Sequence, residues 1–157
     1  MRRSMTVVLC LMLAVASAGG AAEAPPMTPA AAKVVDLVNG MAKRVARDGL
    51  DKTLRTSSVA DWTRPGAGLD IFAFETNGTL RAHPNAGMVG HDITPTKSVD
   101  GQAFITEIIA ALTEPGATTW ITYTWWDPKE NRVRLKRTYA RRVGLMILAC
   151  GFYLDEV

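Results

Sequence analysis

The last third of the chain constrains the fold more than any other part. Three strand-forming runs follow one another there: Trp120 to Trp126 (WITYTWW), Val133 to Val143 (VRLKRTYARRV) and Leu145 to Tyr153 (LMILACGFY). Asp127 to Asn131 separates the first two, and Gly144 alone separates the last two. A parallel pair needs a crossover of a dozen residues or more, so these runs must pair antiparallel. A second hairpin is expected upstream, from Leu69 to Glu75 (LDIFAFE) and from Thr79 to His83 (TLRAH), where Pro84 stops the return strand. Asn77-Gly78 joins them, a strong hairpin signal when both central turn positions take positive φ.

Two helical stretches surround the first hairpin. Thr28 can cap a helix with Pro29 at its first position. From Ala30 to Arg47, Val34, Val35, Leu37, Val38, Met41, Ala42, Val45 and Ala46 recur in steps of three and four, one apolar stripe. Gly49 ends or bends this helix, and a short helical piece, Asp51 to Thr56, follows. A second helix is expected from Gln102 to Leu112, capped by Asp100 and stopped by Pro115-Gly116. The segments 57–68 and 85–99 read as loops. The order helix, strand, strand, helix, strand, strand, strand predicts an α+β domain: a five-stranded antiparallel sheet with helices covering one side.

The first residues read as a targeting segment. Arg2 and Arg3 precede the apolar run Met5 to Ala16, and Ser17 to Ala22 are small. A positive start, a short apolar middle and a small-residue exit make a secretory signal. The run is well short of the roughly 20 residues of a membrane-crossing helix. A cut after Ala22 or after Ala18 meets the small-residue rule. The expected organisation is a signal peptide at 1–22, a linker at 23–28 and one domain at 29–157, periplasmic or secreted, with no membrane span once the signal is removed. Signal removal takes two arginines and no acid from the 18 Lys+Arg and 15 Asp+Glu, leaving a near-neutral chain. A nucleic-acid partner is therefore not expected, despite the basic residues between Arg132 and Arg142. Cys150 becomes the sole cysteine, set in an apolar run as a small core residue.

Several short motifs, taken in order, resemble the single Cache domain, a PAS-like extracellular sensor family. The stretch IFAFETNGTLRAHPNAGMVGHDI resembles its strand, turn, "ahP" and "vG" pattern through Asn77, Gly78, Ala82, His83, Pro84, Val89 and Gly90. DGQAFITEII resembles "DG-x-x-F" through Asp100, Gly101 and Phe104. WITYTWWDP resembles "W-x-x-Y-x-W…P" through Trp120, Tyr123, Trp125 and Pro128. LKRTYARRV resembles "K-x-x-Y-x-x-x-V" through Lys136, Tyr139 and Val143, and CGFYLDE the closing "G-x-Y" through Gly151 and Tyr153. Gly144 departs from the family, whose members often have a longer connection there. The resemblance implies a PAS-like fold with a long N-terminal helix and a further helix packed on the sheet. It implies binding of a small organic ligand, often a short carboxylate or an amino acid, rather than catalysis. The bound state would pass to a membrane-bound signalling protein. A homodimer through the N-terminal helix is a further expectation.

A small anion needs a cation or donor to replace its hydration, and a dry wall. Strand alternation puts Ile121, Tyr123 and Trp125 on one face of their strand. In the next strand Val133, Leu135, Arg137, Tyr139, Arg141 and Val143 share a face, and an apolar concavity holding the cation Arg137 is expected. Tyr123 and Tyr139 would donate hydroxyls and Trp125 would form the wall. Lys136 matches the family motif but alternates to the other face, so a bulge is needed to bring it beside Tyr139. The choice between Lys136 and Arg137 stays open. His83, at a strand end, can donate to a carboxylate or bond its own loop. His83 with His91-Asp92 fits no metal spacing, and neither metal nor cofactor is expected. No nucleophile beside a base, paired carboxylates or phosphate loop stands out, so an enzyme is not expected. The alternative is an exported protein–protein interaction module with a filled core and no ligand, docking through Trp62 and Trp126.

Overall fold

The computed structural model describes residues 26–64 and 68–154. The expected signal peptide, 1–22, lies outside the described residues, as does the start of the expected linker. Helix α1 spans Pro29–Asp48, with Pro29 in its first turn and the Thr28 side chain accepting from the Ala31 amide at 3.2 Å. The predicted stripe is buried at Ala31, Val34, Leu37, Val38, Met41, Ala42 and Val45. Gly49 stops the helix at φ +78, a left-handed conformation that few side chains tolerate. Helix α2, Leu50–Thr56, follows. The stretch expected as loop holds a short helix α3 (Val59–Trp62) and the two-residue strand β1 (Thr63–Arg64). A reciprocal cap starts α3: the Ser58 amide and hydroxyl donate to the Asp61 carboxylate at 2.7 and 3.0 Å.

The five expected strands form: β2 Leu69–Glu75, β3 Leu80–Ala82, β4 Thr118–Asp127, β5 Arg132–Val143 and β6 Met146–Tyr153. With β1 they make one antiparallel sheet in the order β1-β2-β6-β5-β4, β3 also pairing with β2. The β2–β3 connection differs from the expected two-residue turn. Only Gly78 takes positive φ, +93. Its amide donates to the Glu75 carbonyl at 2.8 Å, and the Glu75 amide donates to Thr79 at 2.9 Å, a three-residue loop closed by a glycine bulge. Further along the hairpin the β2–β3 register shifts once more, between Ala73 and Phe74, where Ala73 pairs with Ala82 and Phe74 with Leu80. Gly144, at φ +58, opens the tight β5–β6 turn.

Helices cover both faces of the sheet, not one. Helix α1 packs on the face carrying Ile71, Ala73, Tyr139, Leu148 and Cys150. Helix α4 (Phe104–Ala111) packs on the face carrying Phe74, Tyr123, Ala140, Ile147 and Ala149. The reason lies in β6, buried at every position from Met146 to Gly151. A strand apolar at successive positions presents grease to both sides, so neither face can be left to water. Helix α4 is shorter than expected and Asp100 does not cap it. The Asp100 carboxylate accepts from the Ser98 hydroxyl, and that hydroxyl takes the Gln102 amide at 2.9 Å. Gly101 at φ +91 holds this segment in a turn before α4 begins.

Candidate ligand-binding site

The β4–β5 ladder decides which side chains meet. Tyr123 pairs with Lys136 and Thr122 with Arg137, so Tyr123, Trp125, Lys136 and Thr138 share the α4 face. The expectation that Arg137 and Tyr139 join Tyr123 is overturned by this register. Arg137 and Tyr139 lie on the α1 face, where the Tyr139 hydroxyl donates to Asn39 Oδ1 at 3.4 Å. Arg141 Nη1 reaches the same oxygen at 2.8 Å. Arg137 Nε is buried without a hydrogen-bond partner. No bulge is needed at Lys136: the ladder runs unbroken, and residue 136 belongs to the other side from residue 139.

The space between this face, β2, β3 and α4 is hollow rather than filled. A cavity of about 110 Å³ lies there. Four of the six expected site residues line it: His83, Tyr123, Trp125 and Lys136. Phe72, Leu80, Met88, Ile93, Phe104 and Ile105 supply a mostly apolar lining that the site reading missed. Phe104 and Gly151 did stand out as motif positions, but nothing in the sequence placed either beside Lys136. Phe72, His83, Trp125 and Lys136 also border a broader outer cleft, so they form the neck between cavity and surface. Asp70 lies in the cleft and does not line the cavity.

The wall is a packed aromatic group. Phe104 stacks on Tyr123 with centroids 4.0 Å apart, and Trp125 meets Phe104 edge-on at 5.4 Å. The Tyr123 hydroxyl is bonded to Thr138 Oγ1 at 3.0 Å, and burial pushes its pKa up to about 12. Lys136 carries the site's charge. Its ammonium makes no hydrogen bond or ion pair with the described residues; Nζ stands 5.3 Å from the centroid of the Tyr153 ring. Burial lowers its pKa, with Asp70 and Asp127 pulling the other way. Gly151 makes room for this side chain. A Cβ there would stand 2.9 Å from Lys136 Cε and 2.3 Å from Thr138 Oγ1.

His83 bonds the loop that follows it, one of the two roles its sequence position allowed. Its Nδ1 accepts from the Asn85 amide at 3.0 Å, which ties down the following loop. With Nδ1 accepting, the neutral ring carries its proton on Nε2, a donor. Burial lowers the His83 pKa, so the neutral form prevails at pH 7. Of the two tryptophans expected as a docking patch, Trp62 is half-buried against the α1 core and donates its indole N–H to Ser57 Oγ at 2.6 Å. Trp126 is exposed. Cys150 is buried, and burial pushes its thiol up to about 12. Among the described residues no group of three or more His, Cys, Asp or Glu is placed to hold a metal ion.

Residues 63–157 match the family model of the Cache domain. Three solved structures share the fold. A methyl-accepting chemotaxis protein from Vibrio parahaemolyticus RIMD 2210633 is 20% identical, with 76% of this chain and 82% of that chain covered at a TM-score of 0.59. The periplasmic sensor domain of a chemotaxis protein is 19% identical, covering 76% and 86% at 0.57. A Cache chemosensory domain described for its carboxylic acid recognition is 20% identical, covering 77% and 86% at 0.58. No curated protein matches.

Proposed function

The chain belongs to the Cache domain family, and from that premise we propose that it is an exported sensory module that binds a short monocarboxylate with an apolar tail. The observation that carries this reading is Lys136: an ammonium without an ionic partner, bordering a cavity whose other walls are mostly hydrocarbon. The carboxylate would pair with Lys136 and accept from His83 Nε2–H at the neck. The tail would lie against Phe72, Phe104 and Trp125. A cavity of about 150 Å³ accepts benzene. About 110 Å³ therefore suits acetate or propionate. An amino acid fits less well, because its own ammonium would sit beside Lys136 with no carboxylate in the lining. A related Cache domain is described for carboxylic acid recognition, which supports the class of ligand. Export through residues 1–22 would place the module in the periplasm, where the bound state would pass to a membrane-bound signalling protein. No helix among the described residues is long and apolar enough to cross a membrane.

The test is titration calorimetry with formate, acetate, propionate, butyrate and a panel of amino acids. Acetate or propionate should bind best. Lys136→Met should weaken that binding about 10–100-fold, the worth of a charged hydrogen bond. Arg137→Met, on the far face, should leave Kd within about twofold, with both variants first checked for native circular dichroism. Amino acids outbinding every monocarboxylate, or a Kd indifferent to Lys136→Met, would overturn the reading.

A further inference from the structure

The two margins of the sheet are treated differently. Along β3 the margin is closed: the Leu80 amide donates to the His91 carbonyl at 2.9 Å, and the Gly90 amide returns to Leu80 at 2.7 Å. Along β4 it is nearly open. The Val99 amide donates to the Thr124 carbonyl at 3.2 Å, and this bond fixes the strand's parity. Residues of the same parity as Thr124 turn their N–H and C=O outward, while Ala117, of the other parity, bonds Arg142 on β5. Thr118, Trp120 and Thr122 therefore present a row of backbone donors and acceptors to the outside. Among the described residues no other segment bonds that row. The Trp120 carbonyl has only a long 3.5 Å contact with the Thr119 hydroxyl.

The side chains add nothing to discourage pairing. Thr118 to Thr122 (TTWIT) holds no charge, no proline and no glycine, and four of its five residues are β-branched. Natural sheet edges ordinarily carry lysine, proline or a bulge. We infer that this margin of β4 is an interface with a second copy of the chain, formed by antiparallel pairing of Thr118–Thr122 about a two-fold axis at Trp120. The window is self-complementary under a two-fold, which suits that partner. It is bounded by the Pro115-Gly116 turn on one side and the Val99 bond on the other, and a two-fold at its centre uses all of it. Thr118 then faces Thr122 of the second copy and Trp120 faces its own counterpart. Each outward group finds a complement, about six N–H···O bonds in all. Among the described residues, helix α1 packs mainly on β5 and β6 rather than along this margin.

The inference does not depend on the ligand. Sedimentation equilibrium of the protein purified after export should show a reversible monomer–dimer equilibrium. Amide exchange followed by NMR should give an alternating signature. On raising the concentration, the amides of Thr118, Trp120 and Thr122 slow at least tenfold, while those of Thr119 and Ile121, already bonded to β5, do not change. T118K/T122K puts like charges opposite each other across the two-fold and should raise the dissociation constant at least tenfold. Thr122→Pro removes an outward N–H, costs the sheet no bond, and should do the same. A protein that stays monomeric at high concentration overturns the inference. So does a dimer that leaves these three amides unprotected, or one that both variants leave intact, as pairing through α1 or capture of the margin by the chain's own first residues would.

Discussion

Lys136 is held in place by what its neighbours lack. Gly151, across the β5–β6 ladder from Thr138, leaves the space that the lysine stem occupies. Gly151→Ala sets a methyl group against Lys136, Thr138 and the Arg137 carbonyl. It should cost about 1–3 kcal/mol of stability, measured by urea denaturation, and weaken carboxylate binding at the same time. His83 gives a prediction about pH. Its folded-state pKa lies below the ordinary value because burial disfavours the charged ring. The unfolded chain therefore takes up a proton more readily, and stability falls as pH drops below about 6.5. Denaturation midpoints from pH 7.5 to 5.5 should decline in the native protein and decline less in His83→Gln. Alternation alone separated Tyr123 and Trp125 from Trp120 and Trp126, and it separated Lys136 from Arg137. It did not say which set on one strand joins which set on the next. That phase is set by the turn from Asp127 to Asn131, whose conformation is a tertiary outcome, and so Arg137 and Tyr139 were grouped with the wrong face.

Among the elements, helices with a cap and a stripe were the most legible. Thr28, Pro29 and Gly49 bounded α1 to within a residue, because each acts through local backbone chemistry. Thr28→Ala should destabilise the protein by about 1 kcal/mol through loss of the bond to the Ala31 amide, read as a shift in the urea midpoint. The strands were legible from β-branched and aromatic runs, but the segments stitched together by side-chain hydrogen bonds were not. The Ser58–Asp61 cap that opens α3 and the Ser98 turn that displaces Asp100 both depend on short polar residues whose partners only the folded chain supplies. Gly78 looked like a simple turn glycine. A Cβ there would also stand 2.3 Å from Thr94 Cγ2, so the residue is required by close approach as well as by φ.

At the scale of the molecule, the sheet divides the interior into two cores, and the hollow lined by Lys136 lies on the α4 side. A ligand filling that hollow binds the folded state alone. At a hundred times its Kd, acetate or propionate should add about 2.7 kcal/mol to the unfolding free energy. Scanning calorimetry should show the melting temperature climbing with each concentration step, and no rise with glycine or alanine. The continuous apolar run of β6 signals burial on both sides, which the one-sided cover expected from the order of helices and strands does not capture. The hollow itself had no signature, since a void is the absence of a side chain that any of a dozen segments might have supplied. Its position next to β5 has a mechanical consequence. Residue 136 faces the hollow, while residues 139 and 141 grip Asn39 of the long helix through hydroxyl and guanidinium. On the proposed function, sensing side and reporting side would be the front and back of a single ribbon, and a tilt of that ribbon toward a bound carboxylate would tug the helix without any relay between them.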